Sequence, residues 1–272
     1  MSKVIAALDT SMAAKPALLS ALALGNVLGA EVEALHVQED DERVPRSVAA
    51  GEHVPLHIAH GPVVDALVES AQAEDVLALV VGERGSPLHR APLGSTALAV
   101  ATSVTRPVLV VPPEAPGPRR LQRVLVPLEG GGAHAPQAII ELAQAAEVDL
   151  VVLHVVGEES LPRFTDQPQH EQPARLAEFL RRYCPWGVNS IQFEVRLGRP
   201  DEIVPQVAEQ EGVDLIALGW AQELASDRAP IVRSALERAH VPVLLVPVQS
   251  PAEAANAPTR EESWSSLQSS PV

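Results

Sequence analysis

Cysteine is almost absent from this chain: Cys184 stands alone among 272 residues. A single thiol forms neither an internal disulfide nor a cysteine-based zinc site, which fits a reducing compartment and a free, inert side chain. Basic charge is scarce too. Twenty Lys and Arg face 35 Asp and Glu, for a net charge of −15, whereas a nucleic-acid backbone needs a basic surface. Arg119-Arg120 with Arg123 is the nearest approach to a cluster, has no interleaved aromatics and reads as a solvated linker, so no nucleic-acid partner is expected. Membrane-spanning runs are also missing. Pro16 to Ala30 is uncharged, but Ser20, Gly25, Asn26 and Gly29 interrupt it and it is too short to span. The expectation is a soluble, cytoplasmic protein without a membrane partner.

Several chemistries lack their residues. There is no Gly-x-Ser-x-Gly elbow, no Gly-Lys-Ser/Thr loop and no paired nucleophile and base. No catalytic residue is nominated. His53, His57 and His60 are close in sequence, but Pro55 intervenes and no carboxylate or cysteine shares the run, so no metal site is expected there.

What the chain does have is an alternation. With 46% hydrophobic residues, it can build one large or two ordinary cores. Lys3 to Leu8, Val32 to Val37, Val54 to Ala59, Val76 to Val81 and Val108 to Pro112 read as strands. Ala13 to Leu28, Val63 to Ala73 and the stretch after Ser95 carry apolar residues at helical spacing. Such a β/α order predicts a parallel sheet covered on both faces. After the proline-rich stretch Pro113 to Pro118 the pattern restarts. Val124 to Glu129 matches Val4 to Asp9, and Leu150 to Val155 matches Val32 to Val37. Gly198 and Gly219 keep the spacing of Gly61 and Gly82, and Pro242 to Pro247 matches Pro107 to Pro112. Four matched segments in one order predict two tandem Rossmann-like α/β domains, each a five-stranded, mainly parallel sheet with helices on both faces. The expected boundaries are 1–113, a linker at 114–121, 122–248, and a flexible tail at 249–272 rich in Ser, Pro, Glu and Ala.

The first domain concentrates ligand-binding residue types at strand ends. Asp9 follows strand one, Val37 ends strand two, and strand four ends at Gly82, with Gly85 next and Gly94-Ser95-Thr96 opening a helix. In an open parallel sheet all of these lie on the carboxyl edge, where ligands bind. Glycines admit close approach, and the first amides of a helix point outward unsatisfied, which together suit phosphate. Glycines that merely turn the chain are the competing reading.

This constellation resembles the universal stress protein family: the strand-one Asp, the His-Val ending strand two, Gly-x-x-Gly followed by Gly-Ser, and a terminal Pro-Val-Leu-Val-Val-Pro. The resemblance covers residues 1–248. Some members bind ATP through Gly-x-x-Gly-(nine residues)-Gly-Ser/Thr, and others lack the motif and bind no nucleotide. It implies that Asp9 contacts the ribose side, Val37 the adenine, and Gly82, Gly85, Gly94, Ser95 and Thr96 the phosphates of ATP, with magnesium or manganese as an accompanying ion. This chain departs from the pattern at Ser86 to Leu93, which is eight residues and includes Pro87 and Pro92.

In the second copy Glu129 replaces Asp9, Gln222 replaces Gly85, and Ala229-Pro230 stand where Gly94-Ser95 stood. Proline has no amide to donate and alanine resists positive φ, so no phosphate cradle is expected there, and Trp220 is a candidate to fill its cavity. Gly130-Gly131-Gly132 reads as a tolerant surface loop, with an anion nest the competing reading. The fifth strands, Val108 to Val111 and Val243 to Val246, are expected at sheet edges, where they would pair either between chains or within one chain as a pseudo-twofold dimer. Two functions follow. One is a stress-response regulator or sensor whose first domain binds ATP or a related adenine nucleotide, with at most slow hydrolysis. The other is a nucleotide-free interaction protein with both cradles degenerate. A third, an adenine-nucleotide-hydrolysing α/β enzyme, lacks a nameable general base.

Overall fold

The computed structural model describes residues 1–38, 42–83, 95–118, 120–128, 148–156, 172–183, 190–220, 222 and 230–247. The first half runs β1 (Lys3–Ala7), α1 (Ala14–Leu28), β2 (Glu31–Val37), α2 (Arg43–Gly51), β3 (Leu56–Ala59), α3 (Val63–Ala71), β4 (Val76–Gly82), α4 (Ser95–Ser103) and β5 (Val108–Val111). The second half repeats the order with β6 (Arg123–Leu128), β7 (Asp149–Val156), α5 (Gln172–Tyr183), β8 (Ile191–Leu197), α6 (Pro200–Gln210), β9 (Leu215–Trp220), α7 (Pro230–Arg238) and β10 (Val243–Pro247). Helix α2 is an element the sequence reading passed over. Its apolar residues Val44, Val48 and Ala49 recur at helical spacing and join the core beneath α1, and Pro45 is buried with them. Pro45 falls in the first turn, where amides have no intrahelical acceptor to lose.

All ten strands form one sheet in the order β3-β2-β1-β4-β5-β10-β9-β6-β7-β8. Within each half, neighbours pair in parallel. The fifth strands meet each other at the centre: β5 and β10 are antiparallel, with Val110 opposite Val243, Leu109 opposite Leu244, and Val108 opposite Leu245. Each fifth strand therefore covers the edge that the other would have exposed. Because this one junction is antiparallel, the carboxyl ends of the two halves' strands point to opposite edges of the sheet.

Strand periodicity divides the buried residues between two layers. Val4, Ala6, Ala78, Val80, Leu109, Val111, Leu244 and Val246 face the layer built on α1, α2 and α5. Ile5, Leu79, Val81, Val108, Val110, Val243 and Leu245 face the layer of α3, α4, α6 and α7. Both layers run without interruption across the central seam. At one end Phe179 of α5 meets Phe193 of β8, with ring centroids 6.0 Å apart and planes tilted by 56°.

The proline-rich connection, whose composition reads as a stiff linker, packs on the fold. Ala115 and Leu121 are buried, and Gly117 takes a φ of +61°, so close to α1 that a Cβ there would lie 3.0 Å from Cδ1 of Leu19. The connection is a strap lying on α1. At the amino ends of the strands, away from the carboxyl edge, Lys3 pairs with Glu33 at 3.2 Å and Asp75 at 3.3 Å. The bond to Glu33, above all, raises the lysine pKa from its ordinary 10.5. In the second half the matching end is tied by the Asp214 carboxylate, which accepts the Gln122 and Arg123 amides at 2.8 and 3.0 Å.

Candidate functional site

In the first half the chain leaves β1 toward β2 on one side, and leaves β4 toward β5 on the other. The crevice where strand order reverses thus lies between β1 and β4, flanked by the loops after them. The loop after β1 is shaped by Asp9. Its Oδ1 accepts hydrogen bonds from the Ser11 amide at 2.9 Å and the Ser11 hydroxyl at 2.6 Å, and Ser11 Oγ in turn accepts the Ala13 amide at 3.1 Å. This is an Asx turn followed by a serine turn, and together they feed the chain into α1. Asp9 Oδ2 has no hydrogen bond among the described residues, so the half-buried carboxylate keeps an acceptor.

Gly82 closes the other flank. A Cβ on Gly82 would stand 3.1 Å from the Cβ of Ala13, so the absent side chain lets the end of β4 press against the β1 loop. The structure shows a packing duty for this glycine, which draws the two loops together at the switch point.

Val37 ends β2 opposite Ala59 of β3 and is buried. Beside it, His36 is 1% exposed, and its Nδ1 lies 2.7 Å from the Leu8 carbonyl oxygen, one residue before Asp9. A carbonyl only accepts, so in the neutral ring Nδ1 carries the proton and Nε2 is a bare acceptor. That Nε2 is buried without a hydrogen-bond partner among the described residues. His36 and His154 stand at matched positions of the two copies, and the His36 bond has a structural role, tying the ends of β1 and β2.

Helix α4 begins at Ser95, and Thr96 in its first turn is exposed. Gly85 and Gly94 lie outside the described residues, so the structure gathers Asp9, Val37 and Gly82 at one edge and supplies the start of α4, while the loop joining β4 to α4 is not described. Sequence reasoning missed Glu83. It follows Gly82, donates its amide to the Val111 carbonyl at 2.8 Å, and is only 4% exposed. A charged residue directly after a strand's terminal glycine was the available signal. Glu83 lines a cavity of about 320 Å³ with Pro112, Pro113, Glu114, Arg238 and His240, between the end of β5 and the end of α7.

The second half's edge is built differently. Trp220, the counterpart of Glu83, extends β9 and is buried in the apolar layer of α6 and α7. Pro230 begins α7, so a residue without an amide stands at that helix start. Gln222 has a φ of +59° and sends its side chain toward α4, with Nε2 donating to the carbonyls of Val104 at 2.8 Å and Ala101 at 3.3 Å. Glu129 and Gly130-Gly131-Gly132 are outside the described residues.

Among the described residues no three His, Cys, Asp or Glu side chains gather as a metal site; His57 instead lies 3.8 Å from Glu33. The described part of the site offers one acceptor and one helix start. Asp9 Oδ2 can accept from a hydroxyl, and the positive end of α4 opens toward the same edge. No helix among the described residues is long and apolar enough to cross a membrane.

A sequence model of the universal stress protein family matches residues 41–112 and 120–247. Among solved structures, a universal stress protein from Archaeoglobus fulgidus DSM 4304 is similar over 89% of this chain and 97% of its own, at 18% identity and a TM-score of 0.63. A universal-stress-type protein of Pseudomonas aeruginosa UCBPP-PA14 is similar over 91% of this chain and 93% of its own, at 14% identity and a TM-score of 0.60. At such identities the likeness is one of fold. A universal stress protein in complex with cAMP matches 47% of this chain and 97% of its own, at 20% identity and a TM-score of 0.37. No curated protein matches the chain.

Proposed function

The chain belongs to the universal stress protein family, and we propose that its first half binds ATP or a related adenine nucleotide and acts as a cytoplasmic, ligand-dependent regulator. The observation that carries the reading is the meeting of the β1 and β4 loops at Gly82 and Ala13, beside a carboxylate with one oxygen uncommitted among the described residues. In this reading Asp9 accepts from the ribose and the backbone at Val37 meets the adenine edge. The amides of Gly82, Gly85, Gly94, Ser95 and Thr96 hold the phosphates. Magnesium or manganese would offset phosphate charge on a protein of net charge −15. Fast hydrolysis is not part of the reading, since no residue is placed as a general base. The second half, with Pro230 starting α7, Trp220 in the core and Gln222 turned toward α4, serves as the partner that holds the first.

The test is titration calorimetry with ATP and magnesium, on the wild-type chain and on Gly94→Pro. Saturable heat near one nucleotide per chain, lost in the variant, is the expected result. No heat and no change in melting temperature at millimolar ATP would overturn the reading. It would turn attention to the nucleotide-free interaction protein, which the short loop with Pro87 and Pro92 favours.

A further inference from the structure

Gln222 is one of two non-glycine residues among those described with positive φ, at +59°. A side chain in that region costs roughly 1–2 kcal/mol over glycine, and such strain persists where the surroundings hold it. Position 222 stands three residues after Gly219, as Gly85 stands three after Gly82. The second half thus has, at this position, a conformation that favours glycine while carrying a long amide, and the structure accounts for that amide. Gln222 Nε2 donates to Val104 O at 2.8 Å and Ala101 O at 3.3 Å. These are carbonyls at the end of α4, which belongs to the other half. Helix ends leave such carbonyls without intrahelical donors and carry negative dipole character, so a donor arriving from outside is a cap. The first half offers no counterpart: Gly85 has no amide side chain to send to α7.

We propose that Gln222 is an inter-domain brace, a C-terminal cap for α4 supplied by the second half, which fixes α4 and the ligand cradle at its opposite end. The cradle at the α4 N-terminus rests on the nucleotide reading above; the brace does not. Helix α4 spans nine residues, so its Ser95 end and its Gln222-capped end belong to one rigid rod. A ligand that orders the first amides of α4 and a side chain that fixes the last carbonyls then stabilise the same position of the same helix.

Hydrogen exchange on the full-length chain tests this with three variants. Gln222→Gly relieves the backbone while deleting the amide. Gln222→Glu keeps the length but replaces the donor with a carboxylate facing the negative helix end, and Gln222→Lys restores a donor suited to that end. Amides of residues 98–105 are expected to exchange about five-fold faster in the Gly variant, the factor set by one net hydrogen bond of about 1 kcal/mol. The Glu variant should exchange faster still, the Lys variant near the wild type, and peptides of β2 and α3 unchanged in all three. Exchange in Gln222→Gly equal to wild type at 98–105, or a uniform rise across the first half, would overturn the brace. ATP affinity is read on the same proteins. A weaker affinity in Gly and Glu, recovered in Lys, supports the link to the cradle, and equal affinity despite faster exchange refutes that link. If the wild type binds no ATP, the nucleotide reading has failed, and the exchange data still decide the brace.

Discussion

At the residue scale, Asp9, Ser11, Ala13 and Gly82 form the candidate site's smallest working unit. Asp9 spends one oxygen on the turn and, among the described residues, keeps the other, and the turn sets Ala13 against Gly82. The contact is between a Cβ and a strand backbone, neither of which has a torsion to rotate away. Gly82→Ala should therefore push the β1 loop from β4, at a cost of about 2 kcal/mol, in the range of overpacked sites. In a chain of this size that is a fall in melting temperature of roughly 3–4 °C. The double variant Gly82→Ala with Ala13→Gly removes the clash by taking the methyl from the other side, and denaturation curves should show much of the loss recovered. Equal melting of the double and single variants would mean that the contact is not what holds the loops together. Glu83 shows the limit of residue-level reading: its position is visible in sequence, but its burial depends on β5 and α7, which arrive from distant parts of the chain.

Helix α1 shows how element-level forces can oppose each other. Gly29 closes it with a φ of +61°, its amide directed to the Asn26 and Gly25 carbonyls, as a helix C-terminus favours. Gly25 lies inside the helix, where alanine in place of glycine ordinarily stabilises by about 1 kcal/mol. Here a Cβ would stand 2.7 Å from Cγ2 of Val32 and 3.0 Å from the Ala30 carbonyl oxygen. The valine end can yield; the backbone of the tight turn into β2 cannot. Gly25→Ala is thus expected to lower the urea midpoint rather than raise it, and a raised midpoint would show that propensity wins over packing. The same opposition explains what was legible in the sequence. The succession of strands along the first half, the repeat and the start of α4 at Ser95 were readable, because buried parallel strands are continuous apolar runs and helix starts carry local signals. Helix α2 was hidden because its short apolar stripe includes a proline behind an acidic stretch. The strap at Ala115 and Gly117 looked like a linker because proline content reports stiffness, not what the segment lies on. Gln222 read as the loss of a glycine, since no local pattern announces a partner more than a hundred residues away.

At the scale of the whole molecule, the question is whether ten strands behave as one body or two. The seam itself is short, three residue pairs between β5 and β10. Yet Leu109 and Val111 of one half share a layer with Leu244 and Val246 of the other, and on the opposite face Val108 and Val110 share a layer with Val243 and Leu245. Unfolding either half would expose the inner faces of both layers along the seam, an apolar penalty that couples the halves. A single calorimetric transition is therefore expected, with calorimetric and van't Hoff enthalpies equal. Leu244→Pro tests the origin of the coupling. Leu244 sits opposite Leu109 and beside Ala217 of β9, and proline there removes an amide and distorts the ladder at the centre of the sheet. The wild-type peak should split, with the second half melting first and the first half, stripped of its cover on β5, following at a temperature that depends on protein concentration as exposed β5 edges pair between chains. Two transitions in the wild type would mean that the seam joins two independent bodies. A single lowered transition in the variant would mean that the layers alone, without the β5–β10 ladder, are enough to make the chain unfold as one.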